Sequence, residues 1–437
     1  MGSIARDGQI EFRADEGFAR EMDATDPLAA CREQFHLPCA ADGSPLIYFC
    51  GNSLGLQPKR VKDAIEQELD DWARLGVDAH FEGRTPWYSY HEALRDAGAR
   101  LVGAAPGEVV FMNGLTVNLH LMMVSFYRPT PERYRILIED CAFPSDNYAV
   151  RTQIRYHGFN PDDALLIARP REGEHTLRTD DIEELIERRG ESIALVLLGG
   201  VNYVTGQVFD MRRIAAAARS KGCVVGLDLA HAAGNVPLSL HDWDVDFAAW
   251  CTYKYLNAGP GSVAGCFVHE RHAGNVELPR FGGWWGNDPA TRFRMHLNED
   301  FAPVPTADAW QLSNPPILSM TALKASLEIF DDVGMEALRS KSLRLTAYLH
   351  YLLDQPQSPA TGEPPAYESI TPRDPTSHGC QLSILVRRDP RGLRERLQRA
   401  GVVTDFRPPN IVRIAPVPLY NTFHEVWRFV RLLREAS

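Results

Sequence analysis

Two residues in the middle of the chain have the types and spacing to do chemistry together. Asp228 closes the apolar run Cys223-Val-Val-Gly-Leu-Asp, so its carboxylate stands where a buried strand gives way to a loop, and His231 follows three residues later. Lys254 comes 26 residues after Asp228, behind a second apolar segment from Val245 to Cys251 and ahead of Asn257-Ala-Gly-Pro-Gly. Each alone has a plain reading: a strand-end aspartate caps the next turn, and a lysine beside a glycine-rich turn is solvated. Together they match what pyridoxal phosphate requires. A lysine amine bonds to the cofactor aldehyde, and a carboxylate keeps the pyridine nitrogen protonated so that the ring can accept electrons.

Such a cofactor also needs a phosphate site. Asn113-Gly-Leu-Thr-Val-Asn-Leu-His-Leu reads as a turn and then a helix starting near Thr116, which offers free backbone N–H groups, a positive dipole end and a hydroxyl. The same pattern also describes an ordinary capped helix start. Phe143, in Ala142-Phe-Pro-Ser-Asp, is an aromatic able to stack on a pyridine ring. Two other signals fail. Gly259-x-Gly261-x-x-Ala264 leads into the strand-like Gly265-Cys-Phe-Val-His, where a dinucleotide fingerprint needs a helix. His269 and His272 flank Glu270 in the wrong order for a zinc protease, and they read as solvated side chains, so no metal is expected.

Elements of one kind must position these residues. A helix is expected over Asp181 to Arg189, a strand over Ile193 to Leu198, a helix over Met211 to Lys221 and a strand over Cys223 to Leu227. Asp210 is placed to cap the second helix and Gly222 to end it. Near-continuous apolar strands alternating with helices imply a parallel sheet covered on both faces, an α/β fold that binds ligands at the carboxyl ends of its strands.

Composition agrees. The 437 residues are 44% hydrophobic and 24% charged, enough for a large core and two or three domains, and the formal net charge of -11 gives no general attraction to nucleic acid. Eight scattered cysteines without a C-x-x-C pair read as reduced thiols in a cytoplasm. The charged start, Met1 to Asp26, lacks an apolar export core and fits no myristoylation pattern, and no apolar run reaches the ~18 residues of a membrane helix. Gln355 to Tyr367, rich in Pro, is expected to be a surface loop.

At these residues the sequence resembles the kynureninases, pyridoxal phosphate enzymes of the aspartate aminotransferase fold (fold type I, class V). The resemblance rests on Tyr48-Phe-Cys-Gly-Asn-Ser-Leu-Gly-Leu-Gln-Pro, the Asn113 and Ala142 segments, Gly226-Leu-Asp-Leu-Ala-His-Ala-Ala-Gly-Asn, Trp250-Cys-Thr-Tyr-Lys-Tyr-Leu-Asn-Ala-Gly, Ser313-Asn-Pro-Pro-Ile and Arg413-Ile-Ala-Pro-Val-Pro-Leu-Tyr-Asn. It implies a PLP-binding large domain over 47–320 with a mostly parallel seven-stranded sheet. A smaller α+β domain over 321–437 would pack with an N-terminal segment over 1–46.

The resemblance also assigns roles. Lys254 would bond to the cofactor, Asp228 would pair with its ring nitrogen, His231 would support it and Phe143 would stack on it. Leu115, Thr116, Pro144, Ser145, Asp146, Tyr253, Trp284 and Asn314 match cofactor-holding positions, and the family's tryptophan reaches across a homodimer interface. Arg413 matches the arginine that grips the substrate carboxylate, while Ser53, His80 and Asn314 match positions near the aromatic end. Tyr253 is the candidate for proton transfer. The implied reaction is hydrolytic Cβ–Cγ cleavage of L-kynurenine or L-3-hydroxykynurenine to alanine and anthranilate or 3-hydroxyanthranilate, in tryptophan catabolism or NAD biosynthesis. Gly199 stands where some relatives carry a cofactor-contacting Ser, and Asn287 where animal relatives carry a ring-selecting His. The rival readings are a cysteine desulfurase, an aminotransferase, or a non-catalytic protein retaining the fold. A desulfurase needs a mobile reactive Cys, whereas Cys380 leads straight into a strand-like run.

Overall fold

The computed structural model describes residues 11–356 and 365–436, so most of the expected Pro-rich loop and the first ten residues lie outside the described residues. Seven strands form the main sheet: β1 (Val109–Phe111), β2 (Arg135–Glu139), β3 (Leu165–Ala168), β4 (Ile193–Gly199), β5 (Val224–Asp228), β6 (Phe247–Trp250) and β7 (Gly265–Val268). Their order is β1-β7-β6-β5-β4-β2-β3, and β7 alone runs antiparallel to its neighbours. The expected helices and strands are present with ends moved by one or two residues: Thr179–Arg189, β4, Met211–Ser220 and β5. The Asp210 carboxylate accepts from Arg213 N at 3.0 Å as an N-cap, and Gly222, at φ +68°, makes the turn into β5.

The sheet is apolar on both faces because successive side chains alternate. Val196 and Leu198 of β4 pack with Leu137, Val225 and Leu227 against Ile182, Ile186 and Ile214 on one face. Leu195 and Leu197 pack with Ile136 and Ile138 against Leu119, Met122, Val150 and Ile154 on the other. Each such side chain contributes roughly 1.5–3 kcal/mol when fully buried. This two-sided burial explains why the strands read as continuous hydrophobic runs. Because β2, β4, β5 and β6 are parallel, Glu139, Gly199, Asp228 and Trp250 end at one edge, with Gly199 opposite Asp228 and Asp228 opposite Ala249.

A second, antiparallel sheet comprises β8 (Tyr367–Ser369), β9 (Leu382–Val386), β10 (Asp405–Arg407) and β11 (Ile411–Ile414), in the order β10-β11-β9-β8. Its register sets Asp405 opposite Arg413. The core beneath it draws Phe18 and Met22 from the N-terminal helix Glu16–Ala24, Leu345 and Leu349 from Met335–Asp354, and Phe429 and Leu433 from Phe423–Ala436. Asp23 accepts the first free N–H groups of that last helix, from Phe423 at 2.6 Å and His424 at 3.1 Å. Lys341 and Asp26 form an almost fully buried ion pair at 2.7 Å. Removing one partner of such a pair costs on the order of 3–5 kcal/mol.

One expectation fails. His269 and His272 are not solvated: β7 delivers them against carboxylates on the preceding loops. His269 lies 3.4 Å from both Glu108 and Asp244, and His272 Nε2 lies 2.7 Å from Asp246 Oδ1. Among the described residues no helix is long and apolar enough to cross a membrane.

Candidate active site

A cavity of about 250 Å³ opens at the carboxyl edge of the main sheet. Strand ends supply Glu139, Gly199 and Asp228; the loop after β5 supplies His231; the loop after β6 supplies Tyr253 and Lys254. Leu115 and Thr116 enter from the first turn of the helix Leu115–Phe126, and Asp146 from the first turn of Pro144–Tyr156. Phe143, the N-cap of that second helix, holds its ring half exposed with its centroid 5.7 Å from Lys254 Nζ. The two helix starts are joined by a hydrogen bond between Thr116 Oγ1 and Ser145 Oγ at 2.9 Å. Adjacent N–H groups and two hydroxyls at this point form an anion-binding corner.

Lys254 is buried, and its Nζ lies 3.0 Å from His231 Nε2. Burial first, and then the nearby Lys254 charge, press the imidazole of His231 well below its ordinary range, so it stays neutral. Opposite stand three buried carboxyls. Asp228 accepts from Ala230 N at 2.7 Å. Asp146 is driven far above the carboxylate range by burial and then by Asp228. Glu139 rises to about 7, again mainly by burial, although both its oxygens accept from Gly199 N at 3.2 Å. Burial likewise pushes the Tyr253 phenol up, which keeps it a proton donor. Among the described residues Asp146 Oδ1 and His231 Nδ1 are buried without a hydrogen-bond partner.

Arg413 and Ser53 form a second cluster beside this one. Arg413 donates from Nε to Asp405 Oδ1 at 3.0 Å, from Nη1 to Tyr203 O at 2.8 Å and from Nη2 to Ser53 Oγ at 3.2 Å. Tyr203 lines the cavity and meets Phe143 edge to face at 5.3 Å. Glu139, Tyr203, Asp405 and Arg407 are absent from the sequence-derived site. Glu139 carried a usable signal, since Arg135-Ile-Leu-Ile-Glu ends an apolar run in a carboxylate as Asp228 does. The other three sit in a loop and on an edge strand, where polar residues read as solvated.

Three expected contacts stand apart from the cavity in the single chain. Trp284 is 39% exposed and donates to Arg292 O at 3.3 Å; Asn314 is exposed; His80 Nδ1 lies 3.0 Å from Val77 O, its ring against Trp87. The loops carrying them run outward from the sheet edge. Asn287 is buried and engaged by Thr291 Oγ1 at 3.1 Å and Ala302 N at 3.0 Å. A Cβ at Gly199 would lie 2.8 Å from Glu139 Oε1, so the glutamate carboxyl occupies the space beside this glycine.

These residues fit pyridoxal phosphate. The anion corner suits its phosphate, Lys254 its aldehyde, Phe143 its ring face, and the buried carboxyl group of Asp228, with Asp146 Oδ1 unpartnered nearby, a protonated ring nitrogen. Residues 47–371 match the class-V aminotransferase family and residues 338–433 the kynureninase C-terminal domain. A kynureninase of Myxococcus xanthus is 57% identical over 97% of both chains. The chain belongs to the kynureninase family. Kynureninases of Koribacter versatilis and Nematostella vectensis are 58% and 50% identical, covering 96% and 100% of this chain and 97% of each of theirs. Among solved structures, an Escherichia coli cysteine desulfurase shares the kynureninase fold at TM-score 0.75 and 19% identity, covering 94% of this chain and 98% of its own. A cystine C-S lyase does so at 0.74 and 18%, covering 89% and 97%.

The buried Glu139 makes stability depend on pH. The folded chain binds its proton up to about pH 7 and the unfolded chain only to about 4.5, so its contribution is fully present below about 4.5 and is lost as pH rises through about 7. Cofactor-free Glu139→Gln is therefore expected to melt increasingly above the wild type across that window. A melting-temperature difference that stays constant with pH contradicts the assignment.

Proposed function

We propose that the protein is a kynureninase that hydrolyses the Cβ–Cγ bond of L-kynurenine or L-3-hydroxykynurenine, releasing L-alanine and the corresponding anthranilate. The observation that carries this reading is the meeting of Lys254, His231 and Asp228 at one sheet edge, with Arg413 beside them, in a chain of this family.

Pyridoxal phosphate, when bound, supplies an electrophilic carbon for the substrate amine and a cationic ring that stabilises the electron pair left at Cα. The remaining work falls to side chains. Leu115, Thr116 and Ser145 would hold the phosphate and Phe143 would pack on the ring. Asp228 would pair with the ring nitrogen and keep it protonated, with Asp146 nearby. His231, neutral, orients Lys254 Nζ, which removes the Cα proton and returns it. Arg413 holds the substrate carboxylate through paired N–H donors, a geometry lysine lacks. Tyr253 gives and takes protons as water adds to the γ-carbonyl and the bond breaks. Cys380 is 1% exposed and burial pushes its thiol up to about 12, which disfavours a desulfurase.

The same reading includes a homodimer in which a second copy brings Trp284, His80 and Asn314 to the cavity. An exposed aromatic patch supports it: Phe81 and Phe293 are 60% and 54% exposed, and Trp284 lies 6.1 Å from Phe293. It also includes the division into a large domain over 47–320 and a small domain over 321–437 that packs with the N-terminal segment over 1–46. The eight unpaired cysteines support a reducing, cytoplasmic setting, where the enzyme would serve tryptophan catabolism or NAD biosynthesis.

Incubating the protein and pyridoxal phosphate with each substrate is expected to release alanine and the aromatic amine in equal amounts. The two kcat/KM values then measure ring preference. Lys254→Ala is expected to lower turnover by at least ~10²–10⁴-fold, the share of a proton-transfer group. Unchanged turnover in that variant removes the mechanism, and cofactor-loaded wild type that releases neither product removes the substrate. Light scattering should give twice the 48.9 kDa chain mass, and a monomer mass contradicts the shared site.

A further inference from the structure

Arg413 is already paired before any substrate arrives. Its guanidinium, 1% exposed, engages the Asp405 carboxylate from Nε at 3.0 Å and from Nη2 at 2.7 Å. Ser53, the other residue expected at the substrate, donates to the same carboxylate at 2.7 Å. A buried guanidinium neutralised in this way has little net charge left to draw an anion. The cavity beside it offers one amine, Lys254, among the carboxyls Glu139, Asp146 and Asp228, the first two pushed up by burial. A cation with an unengaged donor would therefore strengthen recognition of a substrate carboxylate.

Arg407 stands in that place. The edge strand β10 alternates, so Asp405 and Arg407 share a face and both turn toward Arg413 on β11. Arg407 Nη2 donates to Asp405 Oδ2 at 3.2 Å, and its Nε lies 3.0 Å from Oδ1 without a hydrogen bond, so one carboxylate sits between two guanidinium groups and the cluster keeps a net positive charge. Arg407 and Arg413 lie over the same ring, their Cζ atoms 5.7 and 5.8 Å from the Tyr203 centroid. That ring lines the cavity and stands 6.4 Å from His231. Arg407, unlike Arg413, is 37% exposed, and its Nη1 makes no hydrogen bond among the described residues.

We propose that Arg407 is a second carboxylate-recognising residue of this site, which draws the substrate's carboxylate to the Arg413–Asp405 pair and shares in holding it over Tyr203. As the ligand carboxylate takes up donors of Arg413, Asp405 stays paired to Arg407. Recognition of this kind acts on binding and leaves the proton transfers at Lys254 untouched.

The proposal rests on the kynurenine-cleaving reading, and its test separates the two. Steady-state kinetics would compare wild type, Arg407→Gln and Arg407→Lys on L-kynurenine and on the analogue whose carboxylate is a carboxamide. Arg407→Gln is expected to raise KM for kynurenine roughly tenfold or more, the usual weight of a hydrogen bond to a charged group, with kcat close to wild type. Arg407→Lys should fall between, and on the carboxamide the three proteins should share one KM. An unchanged KM, or an equal rise for the carboxamide, overturns the proposal. If wild type cleaves no kynurenine, the reaction reading falls on its own. Titrating the cofactor-loaded proteins with L-alanine and following cofactor absorbance then still decides, because only a carboxylate-recognising Arg407 makes the Gln variant bind alanine more weakly.

Discussion

Three carboxyl groups, Glu139, Asp146 and Asp228, are forced together at one dry sheet edge with a single amine, Lys254, facing them. Carboxyls confined away from water either hold protons or require a cation. Glu139 and Asp146 take the first course, pushed up chiefly by burial. In the proposed reading Asp228, which accepts from Ala230 N, is the carboxyl that pairs with a protonated ring nitrogen. The parallel sheet imposes this geometry, since parallel neighbours end at the same edge and their last residues lie side by side. Its stability comes from the apolar packing on both faces, and that packing holds the acids in a conflict a ligand relieves.

The second sheet contributes a separate constraint. Antiparallel pairing fixes Asp405 against Arg413, and the reach of Tyr203 from the main sheet joins that pair to the cavity. A short slip in the β10–β11 register would separate the two charges, and a one-residue slip would turn one of them to the other face. Core packing by the N-terminal helix, with Asp23 capping Phe423–Ala436 and Asp26 paired to Lys341, holds this register in place. In the proposed reading the main sheet thus positions Lys254 and the second sheet positions Arg413.

Much of this was legible in the chain. Asp228, His231 and Lys254 stood out because polar residues ending buried strands break a continuous apolar run, and the same logic would have found Glu139. Helix and strand assignments between Asp181 and Asp228 succeeded because two-sided burial and capping leave strong local marks. Asp405 and Arg407 left none, since a charged residue on an exposed edge strand looks the same whether it points to water or to another charge. His269 and His272 misled for the opposite reason: their carboxylate partners, Glu108, Asp244 and Asp246, come from other loops, and no local pattern records them. Trp284, His80 and Asn314 were nameable only by resemblance, since they lie away from the cavity and no local pattern marks them.

The central claim is that this edge is a pyridoxal phosphate site built on Lys254. It is tested most directly by loading the protein with pyridoxal phosphate, reducing it with borohydride and mapping the modified peptide by mass spectrometry. The account predicts one stoichiometric label, on Lys254, that disappears when Lys254→Ala is treated in the same way. A label on another lysine, or none on protein that has taken up the cofactor, would contradict it.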